Sequence, residues 1–458
     1  MTKASTGFSG YARANVAARA AIDAELTQVG PGTPGGEYLR RFWHPVALSS
    51  EIKDLPRAIS ILGENLVVFR DLSGRAGLLH LHCSHRRASL EYGIIAERGI
   101  RCCYHGWLYD IDGRILETPG EPPTSTIMER LRHGAYPARE YKGLVFAYLG
   151  PPEAMPPFPI YDTTEMPDDE LVPYAIDYPC NWLQVNENPM DPIHSVFLHT
   201  RVTRAHFNPA WGVMPTVEWH RMPDGTGVYL TNTRVWNDFV WIRTAEWIAP
   251  NFAQPPDIYQ DPDREKFFVR VAITKWTVPV DDTRTRIIAW RHFNTTLDLG
   301  AKGDRAKVGQ DKVDFIGQSG TERSHEEAQR LPGDYEAQVG QGPVTVHALE
   351  WLGETDRGVA LSRRMIREGI RAVKAGQAPP APTLNADGLV PTNAGDVIVR
   401  LAAASAGDDE LRRRLGRAVG EIVVGTMKLG RVARQTEVER RVKALLGDLG
   451  AVRAASVG

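Results

Sequence analysis

Cys102-Cys103-Tyr104-His105-Gly106-Trp107 follows Cys83-Ser84-His85 after sixteen intervening residues. The result is one Cys-x-His pair and one Cys-x-x-His pair. Each pair can wrap a metal from a tight β-turn, with thiolate and imidazole pointing inward. Two soft thiolates and two imidazoles suit either zinc or an iron–sulfur centre. A zinc site expects a Cys-Cys pair followed by a His-His pair. Here both pairs are mixed, and the order Cys-His, Cys-His suits a [2Fe–2S] cluster with two histidines on one iron and two cysteines on the other. The bland alternative, a buried cysteine among ordinary core histidines, fits poorly with two spaced mixed pairs on hairpins. His80 and His82, on the approaching strand, read as structural or solvent-facing.

The surroundings read as β. Val67-Val68-Phe69 and Gly77-Leu78-Leu79-His80-Leu81 flank the turn Asp71-Leu72-Ser73-Gly74. Trp107-Leu108-Tyr109 and Arg114-Ile115-Leu116 flank Asp112-Gly113, a second hairpin signal. Gly143 to Leu149 is rich in strand formers. Short strands with Gly-rich turns predict a small sandwich or barrel. The proline-dense run Pro151 to Pro159 reads as an extended linker. Beyond it, Pro173 to Pro179 and most of residues 215–295 read as strands. Helix dominates from Tyr335 to Ala375, above all Arg357 to Ala375. Ala378-Pro379-Pro380-Ala381-Pro382 is a second linker, and Asp408 to Leu449 reads as charged amphipathic helix. At the other end, Ala12 to Gln28 reads as helix, Val29 to Gly36 as a stop and loop, and Tyr38 to Trp43 as a short amphipathic segment.

The 458 residues are 42% hydrophobic and 24% charged, with a formal charge of −2. That length accommodates two or three domains, and the balance gives no electrostatic case for a nucleic-acid or membrane partner. No apolar run is long enough to span a bilayer, and Met1 to Ala17 lacks the apolar core of a signal peptide. A cytoplasmic protein is expected. Only Cys83, Cys102, Cys103 and Cys180 are present, too few for a disulfide framework.

A second stretch carries chemistry. Asp191-Pro192-Ile193-His194 leads to His199. Residues three apart share a helix face, so Asp191 sits beside His194. Residues five apart do not, since five steps of roughly 100° leave them about 140° apart. If His194 and His199 bind one ion, the helix must distort or end between them, and a π-bulge is a common device. Pro192 suits a first helical turn, so a short helix is expected from near Pro192, failing near His199. Alone, such a pair is more often ordinary polar residues than metal ligands.

The two loops resemble the paired cluster-binding loops of Rieske proteins. The Cys-x-Tyr-His-Gly-Trp form is similar to that of Rieske non-haem iron aromatic-ring oxygenase large subunits. Gly30-Pro31-Gly32-Thr33-Pro34 and Phe42-Trp43-His44-Pro45-Val46 resemble the phthalate dioxygenase-like branch, which includes aryl O-demethylases. The resemblance covers roughly residues 24–375. It implies that Cys83 and Cys102 bind one iron of the cluster and His85 and His105 the other, with Cys103 non-ligating. It implies a mononuclear Fe(2+) held by His194 and His199, with Asp191 linking the two centres by a hydrogen bond to the neighbouring subunit's cluster histidine, His105 in this numbering. A third, carboxylate ligand comes from downstream, among Asp311, Asp314, Asp334, Glu336, Glu350 and Asp356. Asp334 is preferred because related subunits carry Asp there before a similar Gln/Gly-Pro pattern, and Glu336 is the fallback.

The implied fold is α+β: a small all-β Rieske domain, a larger catalytic domain with an antiparallel sheet flanked by helices (helix-grip type), and a helical C-terminal extension. The expected boundaries are 1–42 for an N-terminal helical segment packing on the catalytic domain, 43–155 for the Rieske domain, 156–378 for the catalytic domain, and 379–458 for a linker and helical extension. The implied function is the terminal oxygenase of a multicomponent system. It would use O2 and electrons from an NAD(P)H-dependent reductase, with or without a ferredoxin, to hydroxylate or O-demethylate an aromatic compound, an aromatic carboxylate above all. The implied assembly is a homotrimer or stacked trimers. Alternatives are a cis-dihydroxylating dioxygenase, a Rieske electron-transfer protein without oxygenase activity, and a zinc-stabilised structural protein. Trp236, Phe239, Trp241, Trp247 and Phe252 read as core more readily than as cavity lining. Arg201, Arg204, Arg234 and Arg243 are candidates for gripping a carboxylate, with surface arginine as the competing reading.

Overall fold

Seven strand-forming segments between residues 170 and 293 build the larger part of a nine-stranded antiparallel sheet. In the computed structural model, which describes residues 22–297, 303–315, 317–320, 323–400 and 408–457, their order is Glu170–Tyr178, Arg284–Phe293, Ile273–Asp281, Phe252–Gln254, Phe239–Ile248, Gly227–Trp236, Thr216–Arg221. Gly227–Trp236 and Phe239–Ile248 are buried along almost their whole length. A sheet buried so completely must be covered on both faces, and strand alternation divides the work. Val235, Val240 and Ile242 pack against Leu411, Leu415, Val419 and Val423 of the helix Asp409–Gly425. Leu230, Arg243 and Ala245 face the other way, into a cavity.

The three smaller sheets belong to residues 43–148. Both expected hairpins are present: Glu64–Arg70 pairs with Ala76–His80, and Leu108–Tyr109 with Ile115–Glu117. Leu144–Tyr148 lies between Trp43–Leu48 and Ala138–Tyr141. This last sheet is welded to the large one by aromatic side chains. Phe146 meets Trp276 edge-on at 5.4 Å, and Tyr141 meets Trp290 at 5.9 Å. The Trp290 indole N–H donates to the Lys142 carbonyl at 2.9 Å. Each aromatic pair contributes about 0.5–1.5 kcal/mol beyond its buried area.

The helix Arg357–Lys374 presents Val359, Ser362, Met365, Ile366, Gly369 and Ile370 to the core at three- and four-residue spacing. It lies so close to the segment before Asp191 that a Cβ on Gly358 would come within 2.4 Å of the Met190 carbonyl oxygen. Glycine therefore sets how near this helix approaches the site.

Three expectations change. The expected helix over 12–28 falls largely outside the described residues, and within them it is one turn, Ala24–Thr27. The supposed loop Val29–Gly36 already contains the start of the helix Pro34–Leu39, capped by the Thr33 hydroxyl accepting from the Gly36 N–H. The largest correction concerns 379–458, expected to be linker and helix. Gly395–Arg400 is a strand, paired antiparallel with Phe239–Thr244 on one side and with Lys266–Val269 on the other. The following helix is also not continuous. It breaks over 426–430, and Arg431–Val457 folds back so that Val438 and Val442 join the cluster under the sheet. Arg434 anchors this hairpin, donating to Asp162 (3.0 Å), Asn393 (2.7 Å) and the Val423 carbonyl (3.1 Å). Charge and periodicity alone do not distinguish one long amphipathic helix from a helical hairpin.

The tail is thus part of the sheet. Truncation after residue 394 strips the edge of Phe239–Thr244 and bares the face it shares with Leu411, Leu415, Val419 and Val423, each worth roughly 1.5–3 kcal/mol when buried. The truncated chain is expected to be insoluble on expression, and Arg434→Met is expected to lower the denaturation midpoint by the equivalent of about 3 kcal/mol or more. A soluble, cooperatively unfolding truncation would contradict this placement.

Candidate metal centres

The two Cys/His loops sit side by side at the edge of the small β region. The Cys102 N–H donates to the Trp107 carbonyl at 2.8 Å, and the Cys83 N–H to the Ala88 carbonyl at 2.9 Å, closing both loops. Gly106, after His105, has φ +74°, a left-handed conformation that glycine adopts without strain. The loops are polarised. Cys83 and Cys102 are buried, with the Tyr109 hydroxyl 2.9 Å from the Cys83 sulfur. Burial pushes the Cys102 thiol up in pKa, and the neighbouring Cys83 adds to it. His85 is exposed and His105 half-buried, their ring centroids 4.5 Å apart, with Trp107 stacked on His85 at 4.7 Å. Cys103 is exposed, away from the buried pair.

Two buried thiols needing a cation and two imidazoles at the surface fit a two-iron cluster. Zinc fits less well. Among the described residues, the one set of three His, Cys, Asp or Glu donors close enough together for a single ion lies elsewhere. His80 is half-exposed, as expected, and only distantly paired with Glu64.

That tight set is His194, His199 and Asp334, whose donor atoms all lie within 4.8 Å of one another. The helix turns out as the spacing requires. One α-turn, His194–Val196, opens into a wider π-turn, Phe197–Arg201, with the Val202 N–H donating to the Phe197 carbonyl at 2.9 Å. The wider turn brings both imidazoles to one side, ring centroids 5.3 Å apart. Asp334 opens the helix Asp334–Val339 and reaches them from the other flank. Its Oδ1 is 3.5 Å from His194 Nε2 and 3.4 Å from His199 Nε2. Burial would raise the Asp334 carboxyl, but His199 and His194, with the Gln318 amide, hold it well below the usual carboxylate range.

The hydrogen bonds beyond the donor atoms orient them. His194 Nδ1 is bonded to the Asp191 carbonyl and His199 Nδ1 lies 3.0 Å from His206 Nδ1, leaving both Nε2 atoms facing Asp334. Gln318 donates to Asp334 Oδ2, and Asn188 donates to Oδ1 at 3.1 Å. Asp191 accepts the N–H groups of Ile193 (3.0 Å) and His194 (3.2 Å) on Oδ1, so it also starts the ligand-bearing helix. Asn188, Gln318, His206 and Lys275 were not foreseen. His206 follows His199 by seven residues, which is at least a clue; Gln318 and Lys275 carry no sequence signal of this kind.

The other acidic candidates are engaged elsewhere. Glu336 pairs with Arg323 at 2.7 Å, Glu350 with Arg363 at 2.6 Å, and Asp314 with Arg291 at 3.3 Å. Asp356 caps the Gly353 N–H at 2.7 Å, and Asp311 lies in a loop with φ +54°.

A cavity of about 120 Å³ opens beside the three donors. Its walls are Ile176, Leu230, Ala245, Ile258, Ile273 and Ile287, with Phe207, Trp211 and Phe315 from loops. The aromatic residues singled out from sequence behave as core: Trp241 and Trp247 are fully buried, Phe252 stacks on Tyr161 at 4.3 Å, Phe239 packs on the Trp211–Trp241 cluster, and Trp236 donates to Asp263. Of the four arginines, only Arg243 reaches the cavity, and it is paired with Asp396 at 3.4 Å and stacked on Trp211 at 4.3 Å. Arg234 is buried against Asn232, Arg201 is bonded to the Gly212 carbonyl, and Arg204 lies by a surface hollow with Arg323 and Arg330.

Comparison with known proteins places these features. Residues 42–131 match the Rieske [2Fe-2S] domain family. The chain is 41% identical to the tert-butanol monooxygenase / tert-amyl alcohol desaturase oxygenase subunit of Aquincola tertiaricarbonis, over 97% of both chains. It is 39% identical to the phenoxybenzoate dioxygenase subunit alpha of Ectopseudomonas oleovorans, over 82% of this chain and 91% of that one. The crystal structure of dicamba monooxygenase bound to dicamba shares the fold, with a TM-score of 0.54 at 17% identity, over 74% of this chain and 99% of that one.

Metal analysis tests both centres at once. About three irons and two acid-labile sulfides per chain are expected. Asp334→Ala should remove about one iron and leave the cluster's visible spectrum intact. Gln318→Leu, which strips the donor from Asp334 Oδ2, should weaken iron retention about tenfold or more against a chelator. Unchanged iron in Asp334→Ala would exclude that carboxylate.

Proposed function

Because the chain belongs to the Rieske non-haem iron oxygenases, as a large subunit of the phthalate dioxygenase-like branch, we propose that it oxygenates a compact, mainly apolar organic molecule at the His194/His199/Asp334 site. It is the terminal oxygenase of a multicomponent system, and its cofactors are a Rieske [2Fe–2S] cluster and a mononuclear iron. When bound, these groups supply electron transfer and O2 activation. Cys83, Cys102, His85 and His105 would hold the first; His194, His199 and Asp334 would hold the second. The observation that carries this reading is the tight three-donor set opening onto an apolar cavity. Two histidines and one carboxylate leave coordination positions free, the arrangement non-haem oxygenases use.

The protein's own groups then orient and line the site. The Asp191 carbonyl accepts from His194 Nδ1 and so fixes that tautomer, and the His206 ring holds the orientation of His199. Aliphatic walls give the cavity a mainly apolar lining. Its volume is close to the roughly 150 Å³ of a cavity known to admit benzene, which favours one ring or a branched aliphatic group of that size. Hydroxylation or O-demethylation of an aromatic compound is the first reading. Oxidation of a small tertiary alcohol is the second, favoured by the aliphatic lining and by the relative matched over 97% of both chains.

Electrons would come from a separate NAD(P)H-dependent reductase. Asp191 would relay them between subunits, and two surfaces support this. Beside Asp191 and His194, the loop 349–352 exposes Leu349, Leu352 and Trp351, the last 96% exposed. Near the cluster loops, Tyr92, Ile94 and Tyr104 are exposed. A trimer that brings one protomer's His105 to its neighbour's Asp191 would bury both sets. Asp191→Asn keeps the oxygen that caps the helix but loses the charge. It should retain iron, sulfide and reducibility of the cluster while product formation falls at least a hundredfold. Normal turnover in iron-replete Asp191→Asn, or full activity in a monomer, would sink the relay.

A further inference from the structure

One row of the large sheet has a composition that the core does not require. Tyr174 pairs with Ala289, and Ala289 pairs with Lys275, across three adjacent strands. Directly paired residues point to the same face, so a phenol and an ammonium flank a methyl group. Strands lie about 4.8 Å apart, so the outer two backbones stand roughly 10 Å from each other with only alanine between them. Both Tyr174 and Lys275 line the cavity that holds His194, His199 and Asp334, and Ile176, Ile273 and Ile287 surround them.

Lys275 is buried, with 9% of its surface exposed. Among the described residues neither its ammonium nor the Tyr174 hydroxyl has a hydrogen-bond partner, and Lys275 has no ion pair within 4 Å. Of the other polar groups of the cavity, Asn232 accepts from Arg234, Ser195 donates to the Pro192 carbonyl, Asn188 and Gln318 donate to Asp334, and Asp191 caps the ligand-bearing helix; Arg243 is held by Asp396 at 3.4 Å and by stacking on Trp211 and Trp241, with its Nη1 left without a hydrogen-bond partner among the described residues. A buried charge without a partner costs several kcal/mol in apolar surroundings. Burial lowers the Lys275 pKa, with the Asp334 charge opposing. With two neutral histidines and one carboxylate around a divalent iron, that centre keeps one positive charge. The cavity as a whole is therefore short of negative charge.

Resting on the oxygenase reading above, we propose that Lys275 and Tyr174 form the substrate-anchoring niche of this cavity, and that the group they receive is the carboxylate of a small organic acid. Lys275 supplies the charge and an N–H donor to one oxygen. The Tyr174 hydroxyl donates to the other. The apolar remainder of the acid lies against the isoleucine walls and faces the three metal-binding side chains. The anchor thus comes from the strands Glu170–Tyr178 and Ile273–Asp281, while Arg243 stays set against Asp396 and the tryptophans.

The test is equilibrium binding by calorimetry under anaerobic conditions, on protein with full iron and sulfide, using two matched pairs: benzoate and benzamide, pivalate and tert-butanol. Wild type should bind each acid at least about tenfold more tightly than its neutral partner. Lys275→Met should lose about tenfold or more for the acids and stay within about twofold for the neutral compounds. Tyr174→Phe should lose less. Undiminished acid binding by Lys275→Met overturns the proposal, as does wild type that prefers tert-butanol or binds neither acid. Iron content separates this outcome from failure of the oxygenase reading: a chain that never holds the mononuclear iron defeats that reading, whereas an iron-loaded chain indifferent to carboxylates defeats only the niche.

Discussion

Two imidazoles five residues apart reach one point in space only if the helix between them takes a wider turn. That constraint governs the larger half of this protein. The π-turn Phe197–Arg201 turns His199 toward His194, and Asp334 closes the triangle from a segment 135 residues further along. Much of the remaining architecture steadies this meeting. Gly358 lets the helix Arg357–Lys374 rest on the Met190 backbone. Arg363 on that helix bridges Glu187 (2.9 Å) and Glu350 (2.6 Å), holding the chain on both sides of the site. Tyr178 donates to the Gln318 carbonyl at 3.1 Å, and Gln318 in turn holds Asp334.

The two centres present opposite faces to solvent. At the cluster loops the thiols are inside and the imidazoles outside. At the second centre His199 and Asp334 are inside, and Asp191 lies part-exposed on the rim. The exposed histidine edge and the part-exposed carboxylate are the two points at which a neighbouring copy could join them. An exposed tryptophan lies next to the second, and exposed tyrosines lie near the first.

Legibility from sequence followed how local each requirement is. A cluster needs its ligands on short loops, so Cys83-Ser84-His85 and Cys102 to Trp107 could be read directly, and so could the distortion between His194 and His199. Asp334 was reachable only by resemblance, because nothing in its own neighbourhood marks it off from Glu336 or Asp356. Asn188, Gln318 and Lys275 were invisible for another reason. Whether a polar residue in a strand or loop points at a site depends on register, which is settled by pairing partners far along the chain. The aromatic residues illustrate the same limit. Trp241 and Trp247 read as core and are core, whereas Phe207, Trp211 and Phe315, which nothing in the sequence singled out, reach the cavity from irregular segments. Gly395–Arg400 escaped notice because six residues after a proline-rich run carry too short a pattern to announce a strand.

That late strand has a consequence for how the protein is made. Arg243, which lines the cavity, sits on a strand whose edge partner, Asp396, lies about 150 residues downstream. At roughly 5–20 residues per second, the ribosome delivers that partner on the order of ten seconds later. The helices that cover the outer face follow that strand. The cluster loops belong to sheets completed within the first 148 residues and can be finished far earlier. Vectorial synthesis thus separates the two candidate centres in time: the cluster loops can be complete while the sheet beside His194, His199 and Asp334 still lacks its strand Gly395–Arg400.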